Sequence, residues 1–190
     1  MSFHRIFNRF YEKAGRKMCR LCEDFIPKGV KILDLGCGSG IVGQTFQDFF
    51  QADLVGVDVK DQRTAKIPFQ LIDGKNLPFS DDSFDVVLVN YVLHHAKDSK
   101  ALLKEAARVA NDKIIIFEDL PEGFLTDMVC RIHGVSFNYF FQKGGQKGKF
   151  LNEENWKKMF NELNLRLFSE KRASHVLNPV KKKLFVLEKK

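Results

Sequence analysis

Val30-Lys31-Ile32-Leu33-Asp34-Leu35-Gly36-Cys37-Gly38-Ser39-Gly40 runs a short, β-branched, apolar segment straight into three glycines at alternate positions. The apolar part is too short for a helix and stops at a turn signal, so it reads as a buried strand. The glycines allow a sharp bend and let backbone approach a ligand with no Cβ in the way. Downstream, Ile41, Val42, Phe46, Phe49 and Phe50 recur at helical spacing. Ala52 to Asp58 then reads as a second strand, Ile67 to Ile72 as a third, Phe84 to Asn90 as a fourth and Lys113 to Phe117 as a fifth, with a helix from Ser99 to Ala110 between the last two. Strands alternating with helices need crossover connections, which implies a parallel sheet covered on both faces.

Upstream, Phe3, Ile6, Phe7, Phe10, Ala14, Met18, Leu21 and Phe25 recur at three- and four-residue steps, the buried face of a helix running to about Pro27. Arg5, Arg9, Lys13, Arg16 and Arg20 trace a different face, either solvated or set against anionic lipid or RNA. Pro121 to Lys149 is irregular, with the aromatic cluster Phe137 to Phe141 and the loop Gln142 to Gly148. Asn152 to Leu163 returns to helix, and Leu165 to Arg172 with Lys183 to Glu188 read as an antiparallel pair closing the sheet edge. The expected architecture is α/β: a Rossmann-like doubly wound sheet, mostly parallel with an antiparallel C-terminal strand, in three αβα layers. At 190 residues one domain is expected. Its parts are an N-terminal helix (1–27), a core (28–120), an insertion (121–150) and a C-terminal helix with a strand pair (151–190).

The net charge of +7 is uneven. Residues 1–31 hold eight Lys/Arg against three Asp/Glu, residues 142–190 thirteen against five, and the middle ten against sixteen. An acidic middle between basic ends suits a central site for a cation better than a uniform nucleic-acid surface. No apolar run approaches the roughly 20 residues that span a bilayer, and no signal-peptide core follows Met1, so a cytoplasmic location is expected. The four cysteines form no disulfide framework, and Cys19-Arg20-Leu21-Cys22 lacks the second pair a zinc site needs; no metal is expected.

In an open α/β sheet, ligands sit beyond the carboxyl ends of the strands where strand order reverses. Acids and glycines collect there: Asp34 to Gly40, Asp58, Asp73, Asn90, and Glu118 with Asp119. The glycine spacing is G-x-G-x-G; Ile41 stands where the dinucleotide fingerprint needs glycine, and no Gly-Lys-Ser/Thr follows for a Walker loop.

The stretch from Val30 to Gly40 resembles motif I of the class I S-adenosylmethionine-dependent methyltransferases, and Val55-Gly56-Val57-Asp58 resembles their second motif. Ile72 to Phe79 is similar to the adenine-side motif, Phe84 to His95 to the fourth, and Asn152 to Leu163 to the late helix, and the set resembles the small-molecule, type 11-like group. The resemblance implies that Asp34, Gly36, Cys37, Gly38 and Gly40 wall the methionine portion and that Asp58 accepts from the ribose hydroxyls, with Val59 beside it. It further implies that Asp73 and Gly74 meet the adenine and that Asn90 meets the methionine amine. The cofactor would be S-adenosylmethionine, leaving as S-adenosylhomocysteine. Ala110-Asn111-Asp112-Lys113 departs from the Pro-Gly-Gly usual before the fifth strand, and Asn90-Tyr91 lacks the Pro-Pro of many nucleic-acid amine methylases.

Methyl transfer from a sulfonium needs mainly positioning, with a base only for an acceptor that must lose a proton. His95, His133 and Asp119 are the candidate proton acceptors. Phe137 to Phe141, with the apolar residues from Phe124, are the candidate acceptor wall. The expected activity is methyl transfer to a small-molecule acceptor. The alternatives are an RNA or protein methylase using the basic ends, and a non-catalytic cofactor-binding module.

Overall fold

The computed structural model of the chain describes residues 3–121, 126, 128, 149–174 and 180–190, with side chains from Asn8 onward. Seven strands share one sheet: β1 (Lys31–Leu35), β2 (Asp53–Asp58), β3 (Phe69–Leu71), β4 (Phe84–Asn90), β5 (Ala110–Leu120), β6 (Leu165–Arg172) and β7 (Lys181–Lys189). Their order is β3-β2-β1-β4-β5-β7-β6. Neighbours among β1 to β5 pair in parallel, and β7 runs antiparallel to both β5 and β6, so β7 alone is reversed. The order turns back between β1 and β4, which is where the crevice of a doubly wound sheet opens.

Both faces of the sheet are covered, as crossover connections require. Leu33, Leu35, Val87, Val89, Ile114 and Ile116 point to one side, under Leu102, Leu103 and Ala106 of α3 (Ser99–Val109) and Trp156 and Phe160 of α4 (Glu153–Glu162). Their sequence neighbours Ile32, Val86, Leu88, Ile115 and Phe117 point to the other. There they meet Phe46 and Phe50 of α2 (Ile41–Phe50) and Met18, Cys19 and Cys22 of α1 (Phe3–Cys22). The period of two along each strand thus sorts the core into two layers and makes the three-layer αβα sandwich. Helices α3 and α4 start on side-chain caps, Asp98 accepting from Ala101 N and Asn152 from Asn155 N, each at 2.9 Å.

The elements differ from the sequence expectation chiefly in four places, beside strand ends that run longer at Leu120 and from Lys181 to Lys189. Helix α1 ends at Cys22, where the Phe25 and Ile26 amides both turn back to the Cys22 carbonyl. Phe10, expected in its buried stripe, is 69% exposed; the helix packs instead through Gly15, Met18, Cys19 and Cys22. A Cβ at Gly15 would lie 3.0 Å from Thr45, so the close approach of α1 to α2 selects that stripe. Strand β3 keeps only three residues of the six expected, because Pro68 has no N–H for the ladder and the Ile67 side chain turns into the core. Strand β5 starts three residues early, at Ala110. It absorbs one extra residue opposite Phe84–Val86 as a bulge, which replaces the loop expected at 110–112. No described helix is long and apolar enough to cross a membrane.

Candidate functional site

The turn after β1 lies at the reversal of strand order. The Gly36 and Cys37 amides both donate to the Val57 carbonyl, at 2.8 and 3.0 Å, and fasten the turn to β2. Gly36, at φ 74°, has Val92 2.4 Å from where a Cβ would stand. Gly38, at φ 52°, has nothing within 4 Å of that point: its bare face opens onto space. Behind the turn, Cys37 Sγ comes within 2.9 Å of where a Cβ on Gly56 would be, so only glycine at 56 admits it. The carbonyl of Ser39 takes the Thr64 and Ala65 amides, bringing residues 60–66 against the turn.

Asp58, at the tip of β2, joins the two sides of the crevice. Its Oδ2 accepts from Gly38 N at 2.9 Å and its Oδ1 from Val59 N at 2.7 Å, and each oxygen retains a lone pair for another donor. Val59 is 48% exposed, and its Cγ1 lies 3.0 Å from where Gly74 would carry a Cβ, so Val59 and Gly74 are neighbours. Asp73 Oδ1 accepts from Lys75 N and Asn76 N, the bonds of an Asx turn, and these hold its carboxyl below its ordinary range. Arg108 fixes the same loop from behind by donating to the carbonyls of Leu77 and Phe79.

Polar atoms are buried at this end of the sheet with no hydrogen-bond partner among the described residues. Both amide atoms of Asn90, at the tip of β4, lack a hydrogen bond, and so does Asp34 Oδ2. Asp34 is 1% exposed; its carboxylate lies beneath the turn against α2, where a Cβ on Gly43 would stand 2.5 Å away. Burial, and after it the charge of Asp58, push its carboxyl up to about 7. No described Lys or Arg pairs with Asp34 or Asp58. An unmatched buried polar group costs about 1 to 3 kcal/mol, so groups kept in that state ask for a ligand. Thus the residues expected around the cofactor (Asp34, Gly36, Cys37, Gly38, Gly40, Asp58, Val59, Asp73, Gly74 and Asn90) lie in the last residues of β1, β2 and β4 or just past the ends of β1 to β3.

The candidate proton acceptors fare differently. His95 lies in the 3-10 turn Leu93–His95 after β4, its ring 4.0 Å from that of His94. Asp119 has Lys182 Nζ at 2.9 Å, a pairing of charge without hydrogen-bond alignment. His133 and the aromatic cluster at 137–141 lie outside the described residues, as do Phe124 and the loop at 142–148. One pair escaped the sequence reading: Glu118 Oε1 accepts from Leu93 N at 3.0 Å while its Oε2 sits 2.5 Å from His94 Nδ1, both side chains buried. An acidic residue ending β5 two dozen positions after a histidine carries no local signal of that contact. The Phe150 ring stacks on His94 at 4.5 Å, and Lys149 N donates to the His94 carbonyl, so the pair also anchors residues 149–150. Among the described residues no cluster of His, Cys, Asp and Glu could hold a metal.

A family model described as a methyltransferase domain matches residues 7–170. The chain belongs to the class I S-adenosylmethionine-dependent methyltransferases. An uncharacterised protein of Methanocaldococcus jannaschii is 31% identical over 133 residues, covering 69% of this chain and 58% of that protein. Demethylmenaquinone methyltransferase of Corynebacterium urealyticum is 33% identical over 102 residues, covering 52% of this chain and 44% of its own. With an uncharacterised methyltransferase of Bacillus subtilis included, the chain spans 36% to 58% of the length of these curated relatives. Among solved structures, magnesium protoporphyrin IX methyltransferase of Synechocystis superposes with a TM-score of 0.69 at 16% identity, covering all of this chain and 89% of its own. At that identity the likeness speaks for the fold. The family's cofactor is S-adenosylmethionine, and the residues present fit it: an open glycine face, a carboxylate at the tip of β2 with lone pairs to spare, and an unmatched amide facing no described partner.

Proposed function

We propose that the protein transfers a methyl group from S-adenosylmethionine to a small-molecule acceptor by direct in-line displacement. The observation that carries this reading is the unmatched Asn90 amide and Asp34 carboxylate flanking a glycine turn whose bare face is open. When bound, the cofactor supplies a methyl group already activated on a sulfonium. Asp58 would accept from the two ribose hydroxyls with Val59 beside it, Asp73 and Gly74 would meet the adenine, and the Asn90 amide would meet the methionine amine. Asp34, Gly36, Cys37, Gly38 and Gly40 form the floor beneath the methionine portion. The carboxyls of Asp34 and Asp58 favour a cationic ligand over a neutral one, and Asp34, raised to about 7 by burial and by Asp58, gives up its proton more readily beside a cation. His95, His133 and Asp119 are the proposed proton acceptors when the nucleophile must lose a proton. The buried His94–Glu118 pair acts through position, holding the turn that carries His95.

The small-molecule assignment draws on relatives whose names state such acceptors: the demethylmenaquinone enzymes, and sarcosine/dimethylglycine N-methyltransferase of Aphanothece halophytica at 27% identity. The deciding experiment incubates the protein with methyl-labelled cofactor and a fractionated cell extract. Label should enter a low-mass fraction. Label entering RNA or protein would overturn the acceptor class, and cofactor affinity without transfer to any fraction would leave a binding module.

A further inference from the structure

Helix α1 is held to the domain by Gly15, Met18, Cys19 and Cys22. At 100° per residue, Arg9, Lys13, Arg16, Lys17 and Arg20 fall on the opposite side, and all five are exposed. None of them forms an ion pair with a described residue. Phe10 precedes Lys13 and Lys17 by three and seven positions, so it stands on this same outward side at 69% exposure. Tyr11, 40% exposed, meets it edge-on at 6.0 Å. Glu12 is the one carboxylate on the described part of the helix, and it lies on the flank. Five cations with no ion pair among the described residues stand over about 17 Å of ridge with an aromatic ring projecting among them, an arrangement that packing on the domain does not call for.

We infer that the outward face of α1 is a docking surface for an anionic lipid bilayer. Cations on one convex ridge match phosphate headgroups lying in a plane, and the Phe10 ring gains by leaving water for the boundary between headgroups and acyl chains. A nucleic-acid strand fits this surface less well: a convex ridge offers no groove for the backbone to follow, and one outward ring gives a single stacking platform where a strand calls for successive ones. The face is fixed in advance by the packing of α1 on α2, so docking needs no folding step. The inference is independent of the acceptor assigned above.

The test sediments the full chain with vesicles of phosphatidylcholine alone and of phosphatidylcholine mixed with phosphatidylglycerol, at low and high salt. Binding is expected to the anionic vesicles only and to weaken with salt. Each cation near an anionic surface is worth about fivefold in partition, so Arg9→Gln, Lys13→Gln and Lys17→Gln together should lower it about a hundredfold. Phe10→Ser should lower it about tenfold and leave the salt dependence unchanged. All four positions are exposed, and an unaltered circular dichroism spectrum with unaltered cofactor affinity checks that the variants are folded. The inference is overturned if the wild type ignores anionic vesicles, if the triple variant binds them equally well, or if duplex or single-stranded RNA binds more tightly at matched salt.

Discussion

At the tips of β1, β2 and β4, the acidic and amide side chains have only backbone donors or no partner at all among the described residues. Along the β6–β7 edge, Glu153 meets Lys157 at 2.8 Å, Lys183 at 2.5 Å and Lys181 at 3.3 Å, and Glu170 meets Lys157 and Lys183. The same residue type is displaced in opposite directions. Burial and the nearby Asp58 push the Asp34 carboxyl up to about 7, whereas hydrogen bonds from Lys157 and Lys183 pull that of Glu153 down to about 2. The edge of the sheet settles its charges within the chain, while the crevice leaves them for something else to settle. That asymmetry separates a part of the molecule that serves only folding from a part that also serves binding.

The largest expected effect follows from Asp34. Its folded value lies above the ordinary 3.8, so between about pH 4 and pH 7 the folded state binds more protons and stability falls as pH rises. The drop should reach about 4 kcal/mol by pH 8, and Asp34→Asn should flatten it. Denaturant midpoints across that range measure this, and equal profiles for the two proteins would contradict it. A cationic cofactor reverses the preference, so its affinity should rise through the window in which stability falls.

Gly36→Ala should cost about 2 to 4 kcal/mol, combining a left-handed backbone with a side chain driven into Val92. Gly38→Ala has the backbone penalty alone, about 1 to 2 kcal/mol, yet should weaken cofactor binding more, because its methyl enters the open face. If both substitutions lower stability equally, the distinction between a packed and an open glycine fails. Asp58→Ala should raise the cofactor dissociation constant by about 1 to 3 kcal/mol in calorimetry, part of it through loss of the Gly38 tether. The smallest effect belongs to the edge: Glu153→Gln, at a partly exposed network, should cost about 1 kcal/mol and leave cofactor affinity alone. Its contribution should be present above the ordinary carboxylate range and vanish as pH falls through about 2.

Much of the frame could be read directly. Strands Phe84–Asn90 and Leu165–Arg172 begin and end where their patterns do, the first as a continuous apolar run between layers and the second as a half-buried edge. Strand ends misread elsewhere depended on single contacts, such as Pro68 lacking a donor or the bulge opposite Phe84, that periodicity does not encode. The outward turn of Phe10 depended on which stripe of α1 meets Thr45. In the crevice, residue types at strand tips were legible because topology dictates where ligands go. The His94–Glu118 pair, the stranded Asn90 amide and the raised Asp34 carboxyl were not, since each is a product of tertiary burial.

The nested contact of Cys37 with Gly56 has a practical outcome. Burial first, then the charges of Asp34 and Asp58, raise the Cys37 thiol well above its ordinary range, so it stays protonated and inert toward electrophiles while the turn is closed. An aromatic disulfide dye would react with it only in moments when the turn swings away from β2. With Cys130 replaced by serine, the rate of that colour change is therefore a clock for local breathing at this one corner, set apart from Cys19 and Cys22, which lie fully buried between helix and sheet and surface only when the whole layer comes off.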